Sequence, residues 1–155
     1  MATPLQAVLN AEASFTPRME TVPGDLRREW RLAALLVLLW RCNRRSATMQ
    51  QIQVFGRAML DSAARQAIAG TGNRDPFALE PVIRNDPAWL RAVELSIGLG
   101  LVNWADNGRA MLTDAGTGLA TTIAGATGLM VPERAALDGL SLTQAAVDRL
   151  LSRHR

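Results

Sequence analysis

Arginine carries most of the chemistry that this sequence offers. All 17 basic residues are arginine, and the formal net charge is +3. Residues 18–65 hold nine arginines against four acids (+5), whereas residues 66–138 hold five arginines against eight acids (−3). Guanidinium groups pair with phosphates and with carboxylates, so a basic surface would belong to the first half of the chain.

If the chain contacts DNA, we expect the arginines of this first half to make the contact, without dependence on base sequence. Its arginines include Arg27, Arg28, Arg31, Arg44, Arg45, Arg57 and Arg65. The DNA-contact candidates that we select are Arg44, Arg45, Arg57, Arg65 and, from the second half, Arg109. For Arg44 and Arg45, capping of a helix end by cations is the simpler interpretation; contact with a phosphate or an acidic partner is left open.

Residues suited to catalysis are scarce. The single histidine, His154, is next to last, and the single cysteine is Cys42, so a nucleophile and base pair would depend on a residue that nothing holds in place. One cysteine supplies neither a disulfide nor a thiolate metal site. The glycine groups in IAGTG and ATGLM lack the lysine and the preceding strand of a phosphate loop. We expect a non-enzyme with no catalytic residues, no metal and no cofactor.

The stretch of residues 86–114 predicts a helix, a hairpin and a second helix. Asp86 can cap the first helix and Pro87 suits its first turn; the predicted inward residues are Leu90, Val93, Ile97 and Leu101. The apolar runs LVNWA and RAMLT flank Asn107-Gly108, a dipeptide typical of tight hairpin turns. Thr113 can cap the next helix. This order is typical of the second half of a winged helix-turn-helix domain.

Helices account for most of the remaining chain. Asp25 can cap a helix through about Arg44, whose nine-residue apolar run 32–40 is too short for a bilayer, which needs about 20 residues. Ser46 or Thr48 can cap the next helix, which contains Gly56 and continues to Ala69. Ser141 can cap an amphipathic helix over residues 142–153. The predicted fold is mainly α: a winged helix-turn-helix domain with a two-stranded β-hairpin wing and flanking helices.

The predicted domain organisation has three parts. Residues 1–24 form an N-terminal arm, residues 25–125 the winged-helix domain, and residues 126–155 a C-terminal helical extension. The N-terminus lacks the basic start and apolar run of a signal peptide, so we expect a cytoplasmic protein without membrane contact.

The predicted recognition surface is poor in groups that read DNA. The helix before the hairpin and the wing carry two basic and three acidic residues, a net charge of −1: Arg91, Arg109, Asp86, Glu94 and Asp106. The other outward candidates are Ala88, Ser96 and Gly98. Base reading needs several Arg, Lys, Asn or Gln side chains, so the pattern favours a protein-docking module over an operator reader.

The order of features resembles a known family over residues 26–151. After an apolar helix come SATMQQIQVFGRAM, then NDPAWLRAVELSIGLGLV, a wing closing with LTDAG, and PERAALDGLSLTQAAVDRLL. This order is similar to that of the small middle components of ABC-three component systems, bacterial operons that also encode an SMC-like ATPase. The N-terminal arm has no counterpart in that pattern.

The resemblance implies a non-catalytic accessory subunit that binds the SMC-like ATPase and a third operon-encoded component in defence against phage or plasmids. ATP and Mg²⁺ would belong to the partner. Partner contacts would be made by the wing, by the C-terminal helix, or by both; the docking candidates are Trp104, Val147, Leu150 and Leu151. A DNA-binding transcriptional regulator of winged-helix type and a helical toxin–antitoxin or other operon partner stay open, as does a homodimer.

Overall fold

The structure is a computed structural model that describes residues 27–70 and 84–152. This part of the chain is mainly helical, with a small antiparallel sheet. The elements in chain order are α1 (Arg28–Arg41), a 3-10 helix (Asn43–Arg45), β1 (Ser46–Ala47), α2 (Met49–Leu60), α3 (Ser62–Ala69), α4 (Pro87–Gly98), β2 (Val102–Trp104), β3 (Ala110–Leu112), α5 (Asp114–Gly125), α6 (Val131–Leu137) and α7 (Gln144–Ser152). The predicted arm 1–24 and the predicted cap Asp25 lie outside the described residues.

Helix α1 forms the centre of the fold, as the sequence predicts. Its middle turns are apolar on every side, so it can be buried on all sides by α2, α4, α5 and α6. Its fully buried side chains include Ala34, Leu35, Leu36, Leu38 and Leu39. The helix ends at Arg41 rather than near Arg44, because Cys42 has an extended backbone with ψ of 153°; Arg44 and Arg45, beyond it, have left-handed angles with φ of 54° and 52°.

Side-chain caps set the start of α2 and α3. The Thr48 hydroxyl accepts a hydrogen bond from the Gln51 amide, and the Gln51 side chain accepts one from the Thr48 amide, which confirms Thr48 as the cap. The predicted continuous helix to Ala69 is wrong in one respect. Asp61 leaves the helical conformation and caps α3 through the Ala63 amide, so there are two helices.

The predicted hairpin is confirmed, and a third strand joins it. Strands β2 and β3 pair antiparallel, with Val102 opposite Leu112, and Gly108 has the positive φ of 72° that the turn requires. β1 pairs with the other edge of β3, which gives the sheet order β1-β3-β2. The sequence did not predict β1, since two residues carry no strand periodicity. The arrangement is compatible with a winged helix.

The buried side of α4 differs from the predicted stripe. The buried residues of this helix are Trp89, Ala92, Val93 and Ser96. Leu90, which is predicted to face inward, is exposed. The larger Trp89 occupies the inward position instead. The small residues Ala92 and Ser96 lie on the same side, and the Ser96 hydroxyl is satisfied by donating to the Ala92 carbonyl oxygen at 2.7 Å.

The C-terminal helices share the core of the rest of the chain. Leu137 of α6 and Val147 and Leu150 of α7 belong to the same buried cluster as α1 and α2. Helix α7 begins at Gln144, and the Thr143 hydroxyl accepts from the Ala146 amide at 3.2 Å, so the predicted start at Ser141 is wrong by two residues. The boundary at residue 125 stays a prediction.

Gly56 allows α2 and α4 to approach closely. A Cβ atom at this position would lie 2.4 Å from Cε2 of Trp89. We predict that Gly56→Ala lowers the free energy of unfolding by about 1–3 kcal/mol, because the overpacking outweighs the gain in helix propensity. Chemical denaturation measures this change.

Gly98→Ala is the matched control, since nothing lies within 4 Å of a Cβ at that helical position. It should raise the free energy of unfolding by up to about 1 kcal/mol. Equal stabilisation by both substitutions would contradict the packing described for Gly56.

Candidate functional site

The start of α4 is fixed to both α1 and α2. The Asp86 carboxylate accepts hydrogen bonds from the Ala88 amide at 2.9 Å and from Nη1 of Arg31 on α1 at 2.6 Å. The Gln53 side chain of α2 holds the Asp86 backbone on both sides: its amide nitrogen donates to the Asp86 carbonyl oxygen at 3.1 Å, and its oxygen accepts from the Asp86 amide at 2.8 Å. These bonds fix the start of α4 relative to α1 and α2.

Trp89 and Asp86 share the guanidinium of Arg31. That group lies 4.8 Å from the centroid of the Trp89 ring, a cation–π distance, and also pairs with Asp86. Burial raises the pKa of Asp86. The Ala88 amide, the Arg31 guanidinium and the charge of Arg57 together lower it by more than burial raises it, so that the pKa lies below its ordinary value of 3.8. Asp86 is therefore a stable carboxylate at neutral pH.

Helix α4 presents leucines to solvent. Leu90, Leu95 and Leu99 are 44%, 41% and 58% exposed. The charged residues on the same helix are Arg91 and Glu94, and both are exposed. Ser96, predicted to face outward, is fully buried, which removes one of the few polar groups expected there. Most of this surface cannot form hydrogen bonds with base edges.

The wing combines an exposed aromatic residue with an arginine that is held by the chain itself. Trp104 at the end of β2 is 45% exposed. Arg109 reaches back across the sheet: its Nε donates to the Ser46 hydroxyl at 3.1 Å, and its Nη2 donates to the Ser46 carbonyl oxygen at 3.0 Å and to Gln51 Oε1 at 2.9 Å. Arg109 thus ties the wing to β1 and α2, a role that the sequence did not reveal.

The other DNA-contact candidates lie on three different elements, the 3-10 helix, α2 and α3. Arg44 and Arg45 are exposed at the end of α1. Arg57 lies 3.6 Å from the Asp61 carboxylate, and Arg65 donates to the Ala58 carbonyl oxygen at 2.8 Å. The arginines at the start of α1 are roughly 20 Å away from its end, given the rise per residue of a helix. The exposed arginines that flank α1 therefore lie at opposite ends of that helix.

The arginines at the start of α1 form a groove with α4 that sequence reasoning missed. We call it the α1–α4 groove; its volume is about 490 Å³ and its lining residues are Arg27, Arg28, Arg31, Ala88, Arg91, Ala92 and Leu95. Arg91 comes from the half of the sequence with net negative charge, so counting charges along the chain could not group it with the other three. Arg91 can be grouped with the arginines of α1 only when the side of α4 that faces α1 is known.

The docking candidates on the C-terminal helix are mostly buried. Val147 is 0% and Leu150 4% exposed, and Leu151 is half-buried. Val147 and Leu150 are packed in the core, so their selection as docking residues is corrected: neither side chain is accessible to a partner in this structure. Apolar spacing on a terminal helix does not distinguish a face that packs on its own chain from one that packs on another.

Cys42 is buried beside the sheet and is not a reactive group in this state. Burial raises the pKa of its thiol to about 11, against the smaller lowering effect of the Arg109 charge. The neutral thiol is a poor nucleophile at neutral pH. Within residues 27–70 and 84–152, no group of three or more His, Cys, Asp or Glu side chains could hold a metal ion.

Comparisons with protein-family models, with curated proteins and with solved structures find no significant match to this chain. Among the described helices, none is both long and apolar enough to cross a membrane.

The Arg31–Asp86 pair predicts a pH-dependent contribution to stability. A carboxyl group with a lowered folded-state pKa stabilises the fold above its unfolded-state pKa and loses that contribution as pH falls through the folded-state value. Asp86→Asn keeps a capping oxygen but removes the charge. We expect it to lower the free energy of unfolding at pH 7 by about 1–3 kcal/mol, with a smaller difference from wild type below pH 3.8.

Urea denaturation across this pH range measures the effect. Asp106→Asn is the control, since it removes the same charge from an exposed residue of the wing and should change stability by less than about 0.5 kcal/mol. A deficit of Asp86→Asn that stays constant from pH 7 to acid would show that the ion pair contributes nothing.

Proposed function

We propose that this chain is a non-catalytic, cytoplasmic winged-helix subunit that docks on an SMC-like ABC-type ATPase in a bacterial defence complex, together with a third operon-encoded component. The observation that carries the docking role is the surface of α4. In a DNA-reading winged helix, the helix before the hairpin enters the major groove, and here that helix exposes Leu90 and Leu95, with Leu99 exposed directly after its last residue.

The winged-helix assignment is supported by the order of elements. Helix α1, strand β1, the three helices α2, α3 and α4, and the β2–β3 hairpin follow one another in the described residues, and β1 pairs with β3. A winged helix-turn-helix domain has two helices between its first strand and its hairpin, so this order is compatible with that fold if one of the three helices is an addition. In that assignment α4 is the recognition helix and the hairpin is the wing.

The protein-docking role is supported by exposed apolar side chains on both of these elements. Leu95 and Leu99 are one helical turn apart, whereas Leu90 lies on the other side of the buried stripe; Trp104 of the wing adds an exposed aromatic group. Exposed apolar side chains that adjoin one another are typical of interaction surfaces, and aromatic residues are common anchors at interfaces. The class of partner comes from the sequence resemblance, and ATP and Mg²⁺ would be bound by that partner.

A DNA-binding transcriptional regulator is the second candidate. It is favoured by exposed arginines at both ends of α1, namely Arg27 and Arg28 at the start and Arg44 and Arg45 after the end. Such groups suit the phosphate backbone and would give binding that weakens with salt. Sequence-selective binding would need several base-reading side chains, and the exposed surface of α4 offers only Arg91 and Glu94.

Co-purification with the products of the neighbouring genes tests the proposed function. We expect the tagged full chain to bring down a stoichiometric ATPase when they are expressed together. Leu99→Ser and Trp104→Ser should release it, because both side chains are exposed on the proposed docking elements. Leu129→Ser is the matched control, since Leu129 is similarly exposed in the segment between α5 and α6 and should leave the complex intact.

A chain that purifies alone and binds one promoter fragment selectively at high salt would establish the transcriptional-regulator function and overturn the subunit proposal.

A further inference from the structure

The α1–α4 groove concentrates positive charge without an acidic residue in its lining. Its seven lining residues include Arg27, Arg28, Arg31 and Arg91. One of these, Arg31, is paired with Asp86 behind the groove at 2.6 Å. Arg27, Arg28 and Arg91 are exposed, so at least three guanidinium groups can reach a ligand in the groove.

The start of α1 adds to this potential. Its N-cap residue is Arg27, which makes no side-chain cap hydrogen bond. The first amide groups of a helix carry partial positive charge. An anionic group near this end of α1 would therefore meet both the helix terminus and the arginine side chains.

The groove also has an apolar wall. Leu95 and Ala92 line it from α4, and Leu99, one helical turn after Leu95, is still more exposed and continues the apolar strip. The phosphate backbone of a duplex would gain little from these leucines. A peptide segment that carries carboxylates together with an apolar side chain would use both the arginines and the leucines.

We propose that the α1–α4 groove binds an acidic segment of a partner protein. Carboxylates of the segment pair with Arg27, Arg28 and Arg91, and an apolar side chain lies against Leu95. Guanidinium and carboxylate groups form bidentate, charge-assisted hydrogen bonds, and the volume of about 490 Å³ is within the range of ligand sites. The identification of the partner with the ATPase rests on the proposed function, but the groove itself can be tested without it.

The test is fluorescence anisotropy with the full chain and a short labelled peptide of repeated Glu-Glu-Leu-Leu, at physiological salt. We expect saturable binding that the double variant Arg27→Gln, Arg28→Gln and the single variant Arg91→Gln each weaken by about tenfold. Leu95→Ser should weaken binding of this peptide but not of a Glu-Glu-Ser-Ser peptide, because only the former has an apolar group to place on the wall.

The double variant Arg44→Gln, Arg45→Gln is the matched control. It removes the same charge from the opposite end of α1 and should leave peptide binding unchanged. Equal weakening by the two double variants would show non-specific attraction and overturn the proposal, as would failure of the peptide to bind. Tighter binding of a short DNA duplex, lost in Arg91→Gln, would assign the groove to nucleic acid instead.

The two proposals can fail separately. If the ATPase co-purifies equally with the groove variants and the peptide does not bind, the groove proposal is wrong and the subunit proposal stands. If the peptide binds through the groove and no ATPase co-purifies, the groove stands and the proposed partner is wrong.

Discussion

The contact between Trp89 and Gly56 determines how α4 is set on the rest of the molecule. The indole ring lies so close to Gly56 that a Cβ there would come within 2.4 Å of it. The guanidinium of Arg31 lies over the same ring, and Asp86, three residues earlier, holds that guanidinium and the Gln53 side chain. Helices α1, α2 and α4 therefore meet at one buried aromatic residue.

The orientation of Trp89 also decides what α4 presents to solvent. With the tryptophan inward, Val93 and Ser96 follow it into the core. Leu90 and Leu95 flank the buried side and remain exposed, and Arg91 turns toward the start of α1. The exposed leucines and the α1–α4 groove are thus two consequences of the same packing.

Local chemistry made part of this fold predictable. Asp86, Thr48 and Thr113 cap helices through hydrogen bonds to amides two or three residues along the chain, and Asn107-Gly108 forms the hairpin turn. Such contacts depend on adjacent residues, so the sequence is sufficient to predict them.

The features that bear on function depend on distant residues and could not be predicted in the same way. Helical spacing predicted Leu90 as an inward residue, but the space that Gly56 leaves on α2 accommodates Trp89 instead. Strand β1 forms because its backbone pairs with the free edge of β3. Val147 and Leu150 have the spacing of a docking face, but both are buried where α7 packs on α2. Arg91 joins the arginines of α1 across 60 or more residues of sequence.

We propose above that α4 docks on a protein partner and not on DNA. A photoreactive phenylalanine analogue at position 95 tests this, in the full chain expressed with its neighbouring genes, with the same analogue at position 129 as the control. We expect a cross-link from position 95 to an acidic segment of the ATPase and none from position 129. Cross-linking of position 95 to DNA, or an ATPase that co-purifies without any cross-link from that position, would contradict it.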